Sequence, residues 1–136
     1  MLITLMLALT AIIGYLMGSV NGSIIISRFL YGSDIRSSGS GNAGLTNFYR
    51  TYGLTGAAGV VAIDVLKGVL GTFIGGLLLS LAAPDGFEAE FTSVGQMTAT
   101  FCVILGHVFP IFYGLEGERA YCAVCPASWW WITAPP

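Results

Sequence analysis

The chain is predicted to be all-α, an integral membrane helical bundle with about three transmembrane helices. Composition is the first reason: of 136 residues, 55% are hydrophobic and only 9% charged, and the mean hydropathy is +0.81. A soluble domain carries about a quarter of its residues as charges, so this chain cannot clothe a water-facing surface. Segmentation is the second. Residues 2–30, 53–83 and 91–113 are apolar, and each exceeds the ~20 residues that a span needs. The third is the uneven placement of basic residues between these stretches.

The first stretch carries a single charge, Arg28, near its end. No basic segment precedes the apolar run, so it reads as a span rather than a cleavable signal. Gly14, Gly18 and Gly22 recur every fourth residue and offer one smooth face for close helix packing. The second stretch holds Asp64 and Lys67 near its beginning, and the third holds His107. Between them, residues 84–90 contain acids and no Lys or Arg, whereas Arg28, Arg36, Arg50 and Arg119 flank the opposite side. The positive-inside rule puts the N-terminus outside, residues 31–52 in the cytoplasm and residues 84–90 outside. Residues 39–50 and 106–117 then share the cytoplasmic face.

Several function classes are excluded. The formal net charge is −2, and no basic stripe exists to neutralise a nucleic acid. Cys102 lies in an apolar run, and Cys122 and Cys125 have no second pair of ligands, so neither a metal nor any other cofactor is expected. No nucleophile stands out: there is no serine elbow, and nothing supports pairing Cys102 with His107. The sequence specifies no oligomeric state.

The segment most suited to chemistry is Gly39-Ser40-Gly41-Asn42-Ala43-Gly44-Leu45-Thr46-Asn47-Phe48-Tyr49-Arg50. Gly39, Gly41 and Gly44 allow tight turns in which N–H groups point at an anion. Arg50 can clamp phosphate oxygens through two parallel bonds. A glycine triplet alone would read as a flexible loop; here Ser, Asn, Thr and Asn lie between and after the glycines, and a phosphate cradle is the better reading. Asp64 and Lys67 stand three apart and share a helix face. They form either an interfacial ion pair that sets helix depth or part of a polar site. His107 precedes Pro110, which can end the helix, and could donate to or accept a proton from a ligand; a lone histidine among apolar residues is more often structural.

The chain resembles the bacterial membrane glycerol-3-phosphate acyltransferases that use acyl phosphate as donor. The resemblance rests on Gly18-Ser19-Val20-Asn21-Gly22-Ser23, Asp34-Ile35-Arg36, residues 39–50, Asp64-Val65-Leu66-Lys67-Gly68 and Gly106-His107-Val108-Phe109-Pro110-Ile111-Phe112. It implies transfer of an acyl group to the sn-1 hydroxyl of glycerol 3-phosphate, giving lysophosphatidate for phospholipid synthesis. It also implies a multi-pass protein of the bacterial inner or plasma membrane, with glycerol 3-phosphate, acyl phosphate and the lipid bilayer as partners. The activated donor removes the need for a covalent nucleophile, leaving positioning and charge stabilisation as the protein's task. Ser40 and Arg50 match positions that contact substrate phosphate, with Asn42 and Asn47 supporting the loop; Gly41, Gly44, Lys67 and His107 complete the expected substrate-binding set.

Two departures are mild: Asn21 stands where many members have proline, and Leu45 where many have alanine. A third is larger. The family continues after the His-Phe-Pro element with a lysine- and glycine-rich loop, where this chain has Glu116, Glu118 and Arg119. Trp129-Trp130-Trp131 fixes the bases TGGTGGTGG and Ile132 supplies AT next; read one base earlier, that string gives Val-Val-Asp after an ambiguous first codon. Residues 1–115 are therefore expected to be an incomplete acyltransferase-like transmembrane domain, the N-terminal part of a larger bundle. Residues 116–136 are expected to be an aberrant tail, out of frame after a single-base shift near residues 116–118. The chain as written is expected to be catalytically weak or inactive. The alternative is a small membrane anion-binding or transport subunit without catalysis.

Overall fold

The computed structural model describes residues 1–115; the tail expected at 116–136, with Arg119 and the Cys122–Cys125 pair, lies outside the described residues. Four helices follow in order: α1 (Leu2–Gly18), α2 (Gly22–Tyr31), α3 (Leu45–Ser80) and α4 (Glu88–Val108). Short 3-10 turns occupy Ile35–Ser37 and Ile111–Tyr113. Among the described residues, α3 and the segment Glu88–Tyr113 are each long and apolar enough to cross a membrane, and α1 with α2 makes a third crossing as one bent span. The molecule is an all-α integral membrane bundle.

α1 and α4 run parallel, with α3 antiparallel to both. Gly14 lies against Ala99 and Gly18 against Val103, while Gly75 meets Thr10 on one side and Gly95 and Ala99 on the other. A side chain at Gly18 or Gly95 would run into the main chain of the neighbouring helix. Lipid tails are as apolar as leucine, so helices here associate through close van der Waals contact of small residues. The expected glycine face therefore exists, but it is shared: Gly14 and Gly18 pack on α4, and Gly22 packs on Val60 and Ile63 of α3.

Three boundaries differ from the sequence-based expectation. The stretch 2–30 is two helices rather than one, bent by 40° at residues 19–21. α1 ends at Ser19, where the Ser19 N–H turns back to the Tyr15 carbonyl and the Val20 N–H to the Met17 carbonyl, and the Asn21 side chain caps α2 by accepting the Ile24 N–H. An apolar run conceals such a break because hydropathy does not register a cap. α3 starts at Leu45, within the glycine-rich run, and Gly53 (φ 80°, ψ −171°) divides it into segments 45–52 and 54–80. That backbone conformation is open to glycine and strained for other residues. α4 begins at Glu88, where Glu88 and Glu90 lie in its first turn and favour the positive end of the helix dipole. It ends at Val108, just before Pro110, as proline requires.

The region between α2 and the start of α3 has its own small core of Ile24, Ile35, Ala43, Phe48, Ala57 and Val60. Tyr31 stacks on Tyr52 at 4.1 Å between ring centroids, and Phe48 meets Tyr52 at 5.0 Å. This aromatic group fixes segment 45–52 against α2, and so fixes the glycine loop that leads into it.

Candidate functional site

The glycine loop is organised from beneath by one amide. Asn47 is 5% exposed. Its Oδ1 accepts the Ser40 N–H at 2.9 Å, and its Nδ2 faces the carbonyls of Asn42 at 2.9 Å, Ser38 at 3.0 Å and Ile35 at 3.4 Å. Two N–H donors shared over three carbonyls draw the loop into a closed arc around the side chain. Gly39 (φ 60°) and Gly41 (φ 72°) provide its left-handed turns, whereas Gly44 is extended (φ −104°) and forms the N-cap of α3. One expectation is altered here. The N–H groups of Ser40 and Gly41 turn inward, to Asn47 and to the Ser38 carbonyl, and do not face outward towards an anion.

What the loop presents outward is side chains and a helix start. Ser40 and Arg50 are exposed, and Asn42 is half-buried. The first-turn N–H groups of α3 have no carbonyl within the helix to pair with. Arg50 lies three residues beyond Asn47 and shares its helix face. Beside them, Leu45, Tyr49, Leu54, Ala57, Ala58 and Val61 line an apolar groove of about 350 Å³.

The other side of the loop is pinned by Asp34. Its carboxylate receives Arg36 Nη2 at 2.9 Å and Arg28 Nη2 at 2.7 Å, as well as the Arg36 N–H at 3.0 Å. The bond from the Arg36 side chain, helped by that N–H and by Arg28, outweighs partial burial and holds the carboxyl well below the usual range. Arg36 Nη1 also donates to the Tyr113 carbonyl at 3.3 Å, and its guanidinium lies 6.0 Å from the Tyr113 ring centre. The loop is thus joined to the turn that follows α4. The two motif regions that charge placement puts on one face are brought to one end of the bundle.

Lys67 makes the second cluster. It is 7% exposed, and its Nζ lies 2.7 Å from Asp64 Oδ1, 2.6 Å from the Val20 carbonyl and 2.9 Å from His107 Nδ1. The expected Asp64–Lys67 pair is present, within the bundle. With the ammonium as donor, His107 Nδ1 is the acceptor and the ring proton resides on Nε2. Lys67 and His107 therefore meet each other, while Ser40, Asn42, Asn47 and Arg50 gather at the loop.

The helix break links the two groups. Asn21, 2% exposed, donates from Nδ2 to the Ala43 carbonyl at 3.3 Å, and its neighbour Val20 offers its carbonyl to Lys67. The sequence reading assigned no role to Asn21, Asp34 or Arg36. For Asn21 a signal existed: an asparagine just before an apolar run is a helix-start mark. The Arg36–Tyr113 contact joins residues far apart in sequence and has no local signal.

Residues 8–132 match the family described as glycerol-3-phosphate acyltransferase. The chain is 41% identical over 111 residues to the glycerol-3-phosphate acyltransferase of Thermoanaerobacter sp. (strain X514), covering 82% of this chain and 50% of that protein. It is 36% identical over 116 residues to the same-named protein of Bacillus subtilis (strain 168), covering 85% and 54%. Its fold is similar to the crystal structure of PlsY (YgiH), an integral membrane glycerol 3-phosphate acyltransferase in its glycerol 3-phosphate form. That similarity has a TM-score of 0.60 and 31% identity over 82% of this chain and 50% of that one. The chain spans about half the length of the curated relatives it matches. On this match and this architecture, the chain belongs to the glycerol-3-phosphate acyltransferase family of integral membrane proteins.

Proposed function

We propose that this chain carries the phosphate-binding part of a site that transfers an acyl group from acyl phosphate to the sn-1 hydroxyl of glycerol 3-phosphate. The observation that carries this reading is the convergence at one end of the bundle. Ser40 and Arg50 are exposed above a loop held rigid by Asn47, and that loop is tied to the Tyr113 turn through Arg36. The similar solved protein is a glycerol 3-phosphate form, which supports a phosphate ligand here.

In this reading the Ser40 hydroxyl and the Arg50 guanidinium hold phosphate oxygens, and the N-terminal end of α3 adds positive potential. The apolar groove beside Tyr49 takes the start of an acyl chain. The sn-1 oxygen attacks the acyl carbon, the bond from that carbon to the phosphate oxygen breaks, and the departing phosphate takes the hydroxyl proton. The products are lysophosphatidate and inorganic phosphate. No covalent nucleophile is needed, because the mixed anhydride is already activated; orientation and charge stabilisation supply the rate. Lys67 and His107 enter as internal support that sets the helix break.

Residues 31–52 face the cytoplasm in this reading, on the side of the basic residues. Single cysteines at Ser37 and Asp85, both exposed, test the orientation. Labelling at Ser37 from outside intact cells would overturn it. Activity is tested by joining residues 1–115 to the second half of the Bacillus subtilis relative, in membranes with no other such acyltransferase. Lysophosphatidate formation that requires acyl phosphate and is lost in Arg50→Ala is the expected result. Binding of glycerol 3-phosphate with no product would favour an anion-binding or transport subunit.

A further inference from the structure

We propose that Asn21 is a positioning residue that latches the glycine loop to the Lys67–His107 cluster, through an N–H donor that helix capping does not use. In an unbroken helix the Ile24 N–H would bond the Val20 carbonyl four residues earlier. Here Asn21 Oδ1 takes that N–H at 3.0 Å, and the released Val20 carbonyl accepts Lys67 Nζ at 2.6 Å. The same side chain turns its Nδ2 to the Ala43 carbonyl at 3.3 Å, next to Gly44, the N-cap of α3. One buried amide thus sets three things together: the start of α2, the partner of Lys67 and the end of the glycine loop.

The choice of residue type carries the inference. A cap needs only an oxygen, and serine or aspartate would serve as well as asparagine. Only the amide adds a donor, and that donor points at the loop rather than at α2. Asn21 is 2% exposed, and both of its polar ends have partners, as burial demands. Asn47 grips the loop from the α3 side, so two amides hold the arc between them. The start of α3 is thereby fixed relative to Lys67 and His107. This bears on the proposed phosphate site and deepens that reading.

The test is hydrogen exchange on the full chain in lipid bilayers, comparing Asn21→Ser, Asn21→Asp and Asn21→Ala. Serine and aspartate keep the cap oxygen and lose the donor; alanine loses both. The expected result is exchange in residues 39–44 about fivefold faster in all three variants, the factor one net hydrogen bond of ordinary size contributes. In α2, exchange at residues 24–26 rises only in Asn21→Ala. Amides of residues 71–79, remote from the break, serve as the folding control. Loop exchange that rises only in Asn21→Ala, in step with α2, would reduce Asn21 to a cap and overturn the latch.

A second arm adds glycerol 3-phosphate and follows its protection of residues 39–47. The half-saturating concentration is expected to rise about fivefold in Asn21→Ser. Wild-type chain that shows no protection at all would count against the phosphate-binding reading. The ligand-free exchange pattern would still decide the latch.

Discussion

The two ends of this molecule are held together by different physics. Along the bundle, α1, α3 and α4 meet through glycine and alanine, with main chains so close that Gly18 and Gly95 admit no side chain. Among the described residues, the side-chain bonds between α3 and α4 are Thr72 to Thr100 at 2.9 Å on the outer face and Lys67 to His107 at 2.9 Å beside the helix break. At the broken end, the chain from Ser19 to Asn47 is held by a polar network: Asn21, Ser27, Asp34 and Asn47 each bond to backbone groups. Shape complementarity suffices where every backbone group is already paired inside a helix. An irregular loop leaves its backbone groups without partners, and side chains must supply them. The scaffold tolerates polar change poorly for steric reasons, and the loop tolerates it poorly for want of donors.

Substitutions can separate these two modes. Asn47→Leu removes four bonds at once and should cost about 3–5 kcal/mol locally, since each buried partner left unpaired costs about 1–3 kcal/mol. Hydrogen exchange should collapse to the unprotected rate across residues 35–44 while residues 71–79 stay protected. Gly95→Leu should do the reverse. Overpacking against the Gly75 carbonyl should cost about 3 kcal/mol, read as a lower unfolding midpoint in detergent. A wild-type midpoint would show that the seam can open to admit a side chain.

Arg50→Ala sharpens the contrast, because Arg50 is exposed and belongs to neither mode. Stability should change by less than about 0.5 kcal/mol. Transition-state binding in the fusion enzyme should weaken by about 1.5–3 kcal/mol, and Arg50→Lys should recover only part of it. Unchanged turnover would remove Arg50 from the site. The smallest effect is expected at Asp34. Its folded pKa is lowered by Arg36 and Arg28, so its contribution is complete above the ordinary carboxylate pKa near ~4 and fades as pH falls towards the lower folded value. Partial exposure limits it to about 1 kcal/mol. The difference in unfolding midpoint between wild type and Asp34→Asn should be constant from about pH 8 to 5 and close below about pH 4; a gap that widens in acid would refute the assignment.

The bundle was more legible in the sequence than the site. Apolar length gives the spans, three-residue spacing gives the Asp64–Lys67 pair, and Pro110 marks the end of α4, because each depends on local physics. The break at residues 19–21 had one local mark, Asn21, set inside a run that is apolar on both sides. The start of α3 was hidden by the polarity of Thr46 and Asn47, which read as loop yet form the first turn of a helix. The inward turn of the Ser40 N–H follows from the position of Asn47, and the burial of Lys67 depends on Val20 and His107 from two other helices. Such placements belong to tertiary structure, and composition gave only the residues available for them.

The exchange of partners at the helix break also ties the bend of the first span to the rest of the bundle. The Val20 carbonyl takes its partner, Lys67, from α3, and Lys67 is held in turn by His107 of α4. A carbonyl without a partner in hydrocarbon costs several kcal/mol. In a first span separated from α3, the Val20 carbonyl would be best served by the Ile24 N–H, four residues on, and the helix is expected to straighten. With α3 in place the ammonium takes the carbonyl and Asn21 takes the N–H left over. The bend thus belongs to the assembled bundle rather than to the first span alone.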